Sequence, residues 1–387
     1  MSLPTPASRL PDVGTTIFTI MSEAAARHDA INLSQGFPSF EPPAPLLERV
    51  EHHLRAGHNQ YAPMGGVPTL TRAVAGQVGR LQSRELDPDA EITITAGATE
   101  GLFCGIQAVL HPGDEAVLLD PAYDAYAPVV RLAGARPIHV PMAVAGAGLF
   151  SVDWDRLGAA LTARTRLVVI NFPHNPTGAI LDRDDLDRLA AMLRDTQAIL
   201  LADEVYEHIV FDGRSHVSVL SNEELWERSM VVSSFGKSLH ATGWKIGYCA
   251  APARLTQEFR KIHQFANFAV STPMQYAIAD YIAAYPDFAV ELANFYEAKR
   301  DVFLDALAGS RFDYVPARST FFQLLDYSAI SDAGDDALAM QWTRSPGVAS
   351  IPVSVFCEHR LDARLLRFCF AKDDATLVAA AEKLGTL

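Results

Sequence analysis

Between about residue 90 and about residue 250, short apolar runs alternate with amphipathic stretches, and this alternation restricts the possible folds more than any other feature. The runs are rich in Val, Ile and Leu, which is typical of strands buried on both faces. Strands that alternate with helices predict an α/β fold, with a mostly parallel sheet sandwiched by helices. The predicted strands are Glu91–Thr95, Ala116–Asp120, Arg136–Pro141, Leu167–Phe172, Ala198–Ala202, Met230–Ser234 and Trp244–Ala250. The helix patterns include Thr99–Leu110, Asp153–Thr162 and Arg183–Arg194.

The pattern changes after Pro273, where a helical stretch runs from Met274 to about Ala308 with a break near Tyr285. Beyond it we predict three strands and a last helix, at Thr320–Leu325, Val348–Pro352, Leu365–Phe370 and Asp374–Leu384. A chain of 387 residues is too long for one core. We therefore predict a large domain over residues 46–285 and a smaller α+β domain over residues 286–387. The Pro-rich, irregular segment 1–45 should pack against the smaller domain.

Composition restricts the partners and the compartment. The net charge is −14 and there is no basic run, which disfavours nucleic acid. No apolar run is long enough to span a bilayer, and the N-terminus lacks a signal-peptide pattern, so we expect a soluble, cytoplasmic protein. The cysteines are scattered in apolar contexts, which predicts buried free thiols and no metal site. They are Cys104, Cys249, Cys357 and Cys369.

Lys237 follows the predicted strand Met230–Ser234 and is surrounded by small residues. A buried ammonium is costly unless it is paired, and burial lowers its pKa. A desolvated lysine of this kind suits an enzyme that forms a Schiff base, since only the neutral amine attacks a carbonyl. The alternative is a surface lysine at a strand end.

Three other predicted strand ends carry polar groups. Asn175 follows one strand, Asp203 and Tyr206 follow another, and Gly97 opens a helix after a third. Taken singly, each has a simple explanation as a turn or a helix cap. In parallel sheets, however, ligands bind beyond the carboxyl ends of the strands. Together with Lys237, these groups could bind an anion, protonate a heteroaromatic nitrogen and form an imine.

Four segments resemble the fold-type I aminotransferases that use pyridoxal 5′-phosphate, in the class I/II branch. They are NPTG (175–178), DEVY (203–206), SSFGKSLHATGWKIGY (233–248) and LRFCFA (366–371). The resemblance runs from Asn32 to the C-terminus and implies an aspartate-aminotransferase-like large domain. INLSQGFPSFEPP (31–43), NQYAPMGG (59–66) and the lysine segment are most similar to methionine, glutamine and kynurenine aminotransferases.

The resemblance implies a role for each matching residue around the cofactor ring. Lys237 would form the Schiff base and then move the proton of the substrate. Asp203 would pair with the pyridine nitrogen and keep it protonated. Asn175 and Tyr206 would hydrogen-bond the 3-oxygen of the ring, and Tyr123 would stack on it.

The resemblance also implies a phosphate site at a helix N-terminus. The backbone amides there belong to Gly97, Ala98 and Thr99. Ser234 and Lys245 would complete the site, although many relatives carry arginine where this chain has Lys245. Tyr61 matches a tyrosine that reaches the phosphate of the neighbouring subunit, which implies a homodimer with shared active sites.

Arg367 lies within an apolar predicted strand, where a guanidinium needs an anionic partner. That partner is either an acidic side chain of the protein or, as the resemblance implies, the α-carboxylate of a substrate. Asn175 and the backbone of Gly36 would help to hold this carboxylate. The candidate side-chain pocket residues, Phe37, Phe268 and Tyr123, are aromatic, although the two phenylalanines could equally be core residues.

These residues predict an aminotransferase that moves the amino group of an L-amino acid to a 2-oxo acid in two half-reactions. Methionine, an aromatic amino acid or glutamine would suit the pocket, but a hydrophobic pocket discriminates weakly. One alternative is a cysteine-conjugate carbon–sulfur β-lyase, which would use the same lysine, aspartate and arginine. Another is a regulatory protein built on an aminotransferase fold, which would carry an added DNA-binding domain.

Overall fold

The computed structural model describes residues 6–360 and 363–387, so residues 1–5 of the predicted N-terminal segment lie outside it. Its helices are α1 (Ile17–Arg27), α2 (Ala44–Arg55), α3 (Pro68–Gln82), α4 (Gly97–Val109), α5 (Tyr126–Leu132), α6 (Trp154–Ala160), α7 (Arg183–Leu193), α8 (Glu223–Trp226), α9 (Phe235–Ser238), α10 (Ala253–Ala266), α11 (Thr272–Ala284), α12 (Phe288–Ala306), α13 (Asp335–Arg344) and α14 (Asp374–Leu384). Short 3-10 turns span Val219–Ser221, Thr242–Trp244 and Val353–Phe356.

The strands belong to one large sheet and three small ones. They are β1 (Ile31–Asn32), β2 (Ile92–Thr95), β3 (Glu115–Asp120), β4 (Arg136–Pro141), β5 (Ala143–Ala145), β6 (Leu149–Ser151), β7 (Thr165–Asn171), β8 (Ile199–Asp203), β9 (Ser229–Ser234), β10 (Gly247–Ala250), β11 (Phe322–Asp326), β12 (Val348–Ala349), β13 (Ile351–Pro352) and β14 (Leu365–Cys369). The large sheet has the order β2-β10-β9-β8-β7-β3-β4. Each strand pairs in parallel with its neighbour along the run β4-β3-β7-β8-β9. Strand β10 pairs antiparallel to both β9 and β2. The predicted α/β fold with a mostly parallel sheet is confirmed.

Register aligns the polar strand ends at one edge of the large sheet. Asn171, the last residue of β7, lies opposite Asp203, the last residue of β8. Asp203 in turn lies opposite Val232 of β9, two residues before that strand ends at Ser234. The central residues of these strands are apolar and buried on both sheet faces, and polar side chains follow them where the strands end.

The smaller C-terminal sheet holds β14 at its centre, in the order β11-β14-β13. Helices α12 and α14 pack against each other beside a second apolar core, which includes Phe303 and Phe368. The break predicted near Tyr285 separates α11 from α12. In the described part of the chain, no helix is both long and apolar enough to cross a membrane.

The structure corrects several details of the sequence interpretation. The segment 1–45 is not irregular throughout: α1 buries one apolar side, including Met21, and Ile31 of β1 pairs in parallel with Val348 of β12. The predicted strand Val348–Pro352 is divided between two sheets, since β12 pairs with β1 and β13 pairs with β14. The first residues of the predicted strand Trp244–Ala250 form a turn, because Lys245 adopts a left-handed backbone (φ +56°).

Two further corrections concern β5, β6 and the cysteines. Strands β5 and β6 form a hairpin that the sequence interpretation missed, and the residues of β5 are exposed, so no apolar run marked that strand. Cys104, Cys249 and Cys369 are buried free thiols as predicted, whereas Cys357 is only half-buried.

Candidate active site

A cavity of about 330 Å³ opens at the edge of the large sheet where the polar strand ends meet. It brings together most of the residues that the sequence singles out. They are Gly36, Phe37, Gly97, Ala98, Thr99, Tyr123, Asn175, Asp203, Tyr206, Ser234, Lys237, Lys245 and Arg367. It is also lined by residues that the sequence interpretation missed, namely Phe18, Gln35, Leu102, Asn171, Val205, Thr242 and Phe322.

Lys237 projects into this cavity from α9, which follows directly on β9. Its Nζ donates a hydrogen bond to the carbonyl oxygen of Gly36 (2.8 Å) and lies 5.6 Å and 5.3 Å from the ring centroids of Tyr206 and Phe321. Burial lowers the pKa of Lys237 to about 8. A substantial fraction of this amine is therefore neutral near physiological pH, as a nucleophile or a base requires.

Asp203 is a buried carboxylate at the end of β8. Its Oδ2 accepts a hydrogen bond from the hydroxyl of Tyr126 (2.6 Å), and its Oδ1 accepts one from the amide of Val205 (3.3 Å). Burial raises the pKa of Asp203 to about 6, although these hydrogen bonds and the charge of Lys237 act in the opposite direction. A protonated heteroaromatic nitrogen would supply the cationic partner that such a buried carboxylate needs.

Asn171 hydrogen-bonds the backbone of two predicted site residues, Asp203 and Asn175. Its Nδ2 donates to the carbonyl oxygen of Asp203 (2.8 Å), and its Oδ1 accepts from the amide of Asn175 (3.0 Å). Tyr126 and Asn171 are the positioning residues that the sequence interpretation missed. The only available signals were the place of Asn171 at a strand end and the place of Tyr126 three residues after Tyr123.

Helix α4 offers an anion site at its N-terminus. Within the described residues no side chain caps this helix, so its first amide groups are available to a ligand. Lys245 Nζ lies 3.2 Å from the hydroxyl of Thr99. Gly97 has φ +70°, and a Cβ there would lie 3.3 Å from Lys245 Nζ, so a side chain at this position would crowd the ammonium.

Arg367 is fully buried on β14. Its Nη1 donates to Oδ1 of Asn175 (2.8 Å) and its Nη2 donates to the carbonyl oxygen of Ser34 (2.9 Å). Its Nε has no hydrogen-bond partner among the described residues. The guanidinium carbon lies 4.0 Å from the ring centroid of Phe322 and 5.4 Å from that of Phe18.

This arrangement does not match the predicted alternative of an ion pair within the protein. In residues 6–360 and 363–387, no carboxylate forms a salt bridge with Arg367. Its hydrogen bonds go to a side-chain amide oxygen and a backbone carbonyl oxygen. Burial lowers the pKa of Arg367 to about 10, so the group still carries its charge at neutral pH. A buried cation that faces a cavity without an acidic partner is suited to bind a carboxylate ligand.

Two of the predicted residues lie outside the cavity. Tyr61 is 86% exposed, and its ring packs edge-to-face against that of Phe268 (5.6 Å between centroids). Phe268 is also exposed and does not line the cavity of its own chain, so its predicted place in a pocket stays a prediction that would need a second subunit. Phe37 and Tyr123 do line the cavity.

The donor set fits pyridoxal 5′-phosphate. An amine of lowered pKa suits its aldehyde, a buried carboxylate without a bound cation suits its pyridinium nitrogen, and an uncapped helix beside an ammonium suits its phosphate. These three groups line one cavity.

Comparison with known proteins agrees with this chemistry. The profile of the family described as "Aminotransferase class I and II" matches residues 28–384. The chain is 48% identical to methionine aminotransferase of Escherichia coli, over 99% of this chain and 98% of that protein. It is 36% identical to a probable N-succinyldiaminopimelate aminotransferase of Mycobacterium tuberculosis and 30% identical to human kynurenine–oxoglutarate transaminase 1, each over 98% of this chain and at least 97% of the other.

Solved structures show the same similarity. An E. coli protein reported to have a methionine aminotransferase function superposes with a TM-score of 0.97 at 46% identity, over the full length of both chains. The M. tuberculosis N-succinyldiaminopimelate aminotransferase superposes with a TM-score of 0.95 at 36% identity, over 99% of this chain and all of the other.

The lowered pKa of Lys237 can be tested by reductive methylation of the cofactor-free protein between pH 6 and pH 10. Because only the neutral amine reacts, methylation of Lys237 should reach half its maximal rate near pH 8. Mass spectrometry of the peptides would compare it with Lys261, whose side chain is 67% exposed. A profile for Lys237 that coincides with that of Lys261 would contradict the desolvated environment described here.

Proposed function

The chain belongs to the class I and II aminotransferase family, and from this premise we propose that its preferred amino donor is an L-amino acid with an uncharged, extended side chain, methionine foremost. It is a pyridoxal-phosphate-dependent aminotransferase, whose substrates are an amino acid and a 2-oxo acid. The observation that carries the donor proposal is the distribution of charge in the cavity. It offers one guanidinium for an α-carboxylate and apolar walls for the side chain.

The cations among the described cavity-lining residues are Lys237, Lys245 and Arg367. Lys237 and Lys245 are assigned below to the amine chemistry and to the phosphate, which leaves Arg367 for the α-carboxylate. A second, side-chain carboxylate would then enter an aromatic pocket without a counterion, at a high desolvation cost. An uncharged side chain such as that of methionine instead gains contacts with Phe37 and Tyr123.

In this proposal the amides of Gly97, Ala98 and Thr99, the Ser234 hydroxyl and the Lys245 ammonium would hold the cofactor phosphate. Asp203, positioned by Tyr126, keeps the ring nitrogen protonated. When bound, pyridoxal 5′-phosphate supplies a carbonyl carbon that receives the amino group and an electron-poor ring that stabilises negative charge at the substrate Cα.

Two residues contact the 3-oxygen of the ring in this proposal. Asn175 is suited to this because its Oδ1 already accepts from Arg367, so its Nδ2 remains as a donor. The buried Tyr206, whose pKa burial raises far above its ordinary value, keeps its hydroxyl proton and can donate as well.

The remaining residues bind the substrate and move its proton. Arg367, with Asn175 and the backbone of Gly36, fixes the α-carboxylate, which orients the Cα–H bond. A side chain at position 36 would crowd the Phe322 ring (3.1 Å from the added Cβ), so glycine leaves room for the carboxylate beside the backbone. Lys237 Nζ then takes the proton from Cα as a general base, which its lowered pKa favours.

We further propose that the enzyme is a homodimer with shared active sites. Tyr61, Phe268 and Phe265 are exposed aromatic side chains, and Phe265 is 85% exposed. Exposed aromatic groups of this kind are typical of interfaces, and a partner subunit could receive Tyr61 and Phe268 at its own cavity. A cytoplasmic location is consistent with the three buried free thiols.

The donor proposal can be tested by mixing the cofactor-loaded enzyme with single amino acids and following the change in cofactor absorbance. For each amino acid, the maximal rate constant of this half-reaction is divided by the concentration that gives half of it. This ratio should be at least about a hundredfold higher for methionine, and then for aromatic amino acids or glutamine, than for aspartate. The Lys237→Ala variant serves as the blank. A preference for aspartate would contradict the proposal, and release of pyruvate and ammonia from a cysteine conjugate without a 2-oxo acid would indicate the β-lyase.

The carboxylate role of Arg367 gives a second test, with the variant Arg367→Ala. Loss of a buried charge partner should raise the KM for methionine about a hundredfold or more, while the cofactor spectrum stays unchanged. Arg194→Ala, which removes an exposed arginine paired with Glu224, is the control and should leave the KM as it is. An unchanged KM in the Arg367→Ala variant would remove this residue from the substrate site.

A further inference from the structure

Near the N-terminus of α4, the side chains of Glu100, Cys104 and His263 form a hydrogen-bonded cluster to which the proposed function assigns no role. The carboxylate of Glu100 accepts the amide hydrogen of Ala96 at Oε2 (3.0 Å), and the Cys104 thiol donates to its Oε1 (2.8 Å). Nδ1 of His263, from α10, lies 2.8 Å from the same Oε1. The His263 side chain is fully buried.

The partners of His263 determine its protonation. Nε2 lies 3.0 Å from the carbonyl oxygen of Met64, which can only accept, so this nitrogen carries a hydrogen. A second hydrogen must lie between Nδ1 of His263 and Oε1 of Glu100, because two lone pairs would not approach to 2.8 Å. With that shared hydrogen, the His263–Glu100 pair carries no net charge. Burial raises the pKa of Glu100, but the hydrogen bonds from His263, Cys104 and Ala96 outweigh it and leave the pKa below its ordinary value.

The charge of Glu100 matters because of where it lies. Glu100 is in the first turn of α4, three residues after Gly97. A carboxylate there interacts favourably with the positive end of the helix, but it competes with any other anion for that end. Without compensation, it would repel the phosphate group that the amides of Gly97, Ala98 and Thr99 are proposed to hold.

We propose that His263, hydrogen-bonded to Glu100 through Nδ1 and to Met64 through Nε2, is a positioning residue that neutralises Glu100 and keeps the N-terminus of α4 available to the cofactor phosphate. This inference rests on the proposed binding of pyridoxal 5′-phosphate at that helix. It extends that proposal by assigning part of the phosphate affinity to a buried ion pair that does not contact the ligand.

His263 also connects the phosphate helix to the segment that carries Tyr61. Met64, its second partner, lies three residues after Tyr61, and the neighbouring carbonyl of Gly65 accepts the amide hydrogen of Ile94 in β2 (2.9 Å). One imidazole ring thus joins α10, the first turn of α4 and the segment that carries Tyr61.

A metal site is a weaker explanation for the same three side chains. The ligand atoms of Glu100, Cys104 and His263 lie within 4.8 Å of one another. A metal would require loss of the Cys104 thiol proton, but burial and the adjacent carboxylate raise the pKa of that thiol above its ordinary value. The hydrogen bonds already satisfy all three groups.

The test measures how tightly cofactor-free variants bind pyridoxal 5′-phosphate and pyridoxal, which lacks the phosphate. The variants are His263→Gln, Glu100→Gln and the double variant. The matched control is His216→Gln, which disrupts another buried imidazole–carboxylate pair, with Glu204 (2.7 Å), that the described contacts do not connect to α4. Dissociation constants come from quenching of tryptophan fluorescence, and circular dichroism checks folding.

His263→Gln should raise the dissociation constant of pyridoxal 5′-phosphate about tenfold and that of pyridoxal by less than about twofold. The reason is that an uncompensated Glu100 carboxylate repels the phosphate group, which pyridoxal lacks. Glu100→Gln in the same chain should restore most of the lost affinity, and Glu100→Gln alone should bind the phosphate form at least as tightly as wild type. His216→Gln should change both affinities by the same factor.

The inference would be overturned if His263→Gln raised the dissociation constants of both ligands by the same factor. It would also be overturned if the double variant bound pyridoxal 5′-phosphate no more tightly than His263→Gln. If His263→Gln does not fold, a loss of phosphate affinity in Glu100→Gln alone would overturn it equally. Wild-type protein that binds neither ligand would instead contradict the proposed function, so the two failures are distinguishable.

Discussion

The rest of the site depends on a buried guanidinium that forms no salt bridge within residues 6–360 and 363–387. In a protein interior an uncompensated charge costs several kcal/mol. Arg367 is only partly compensated, by two hydrogen bonds to neutral acceptors, by aromatic rings and by the electrostatic attraction of Asp124. Strand β14 holds it there within a well-packed apolar sheet. In the proposed function, the α-carboxylate of an amino acid would supply the missing negative charge and so stabilise the buried cation.

Burial shifts the pKa values of Asp203 and Lys237 in opposite senses and brings both towards neutrality. It raises the pKa of Asp203 to about 6 and lowers that of Lys237 to about 8. Desolvation is the largest cause of both shifts, because both groups follow apolar strands of the large sheet. The proposed phosphate site has a different physical basis, which is the amides and the charge balance at the start of α4.

Much of the fold and many of the site residues could be predicted because their signals are local. Apolar runs located the strands of the large sheet. Arg367 stood out as a charge within such a run, and Lys237 as a charge shortly after one. Contacts between distant parts of the chain left no comparable signal. Tyr126 reaches Asp203 across 77 residues, and His263 reaches Glu100 across 163, so only the folded arrangement identifies them. The contact between Phe268 and Tyr61 is likewise tertiary and left no signal in the sequence.

We propose that the buried guanidinium of Arg367 selects substrates through their α-carboxylate. Single-turnover rates of the cofactor-loaded enzyme can be compared for L-methionine and for 3-(methylthio)propylamine, which has the same side chain and amine but no carboxylate. We expect the amine to react at least about a thousandfold more slowly at equal, subsaturating concentration, because it cannot use the contact that orients Cα. Comparable rates for the two compounds would show that Arg367 does not select substrates in this way.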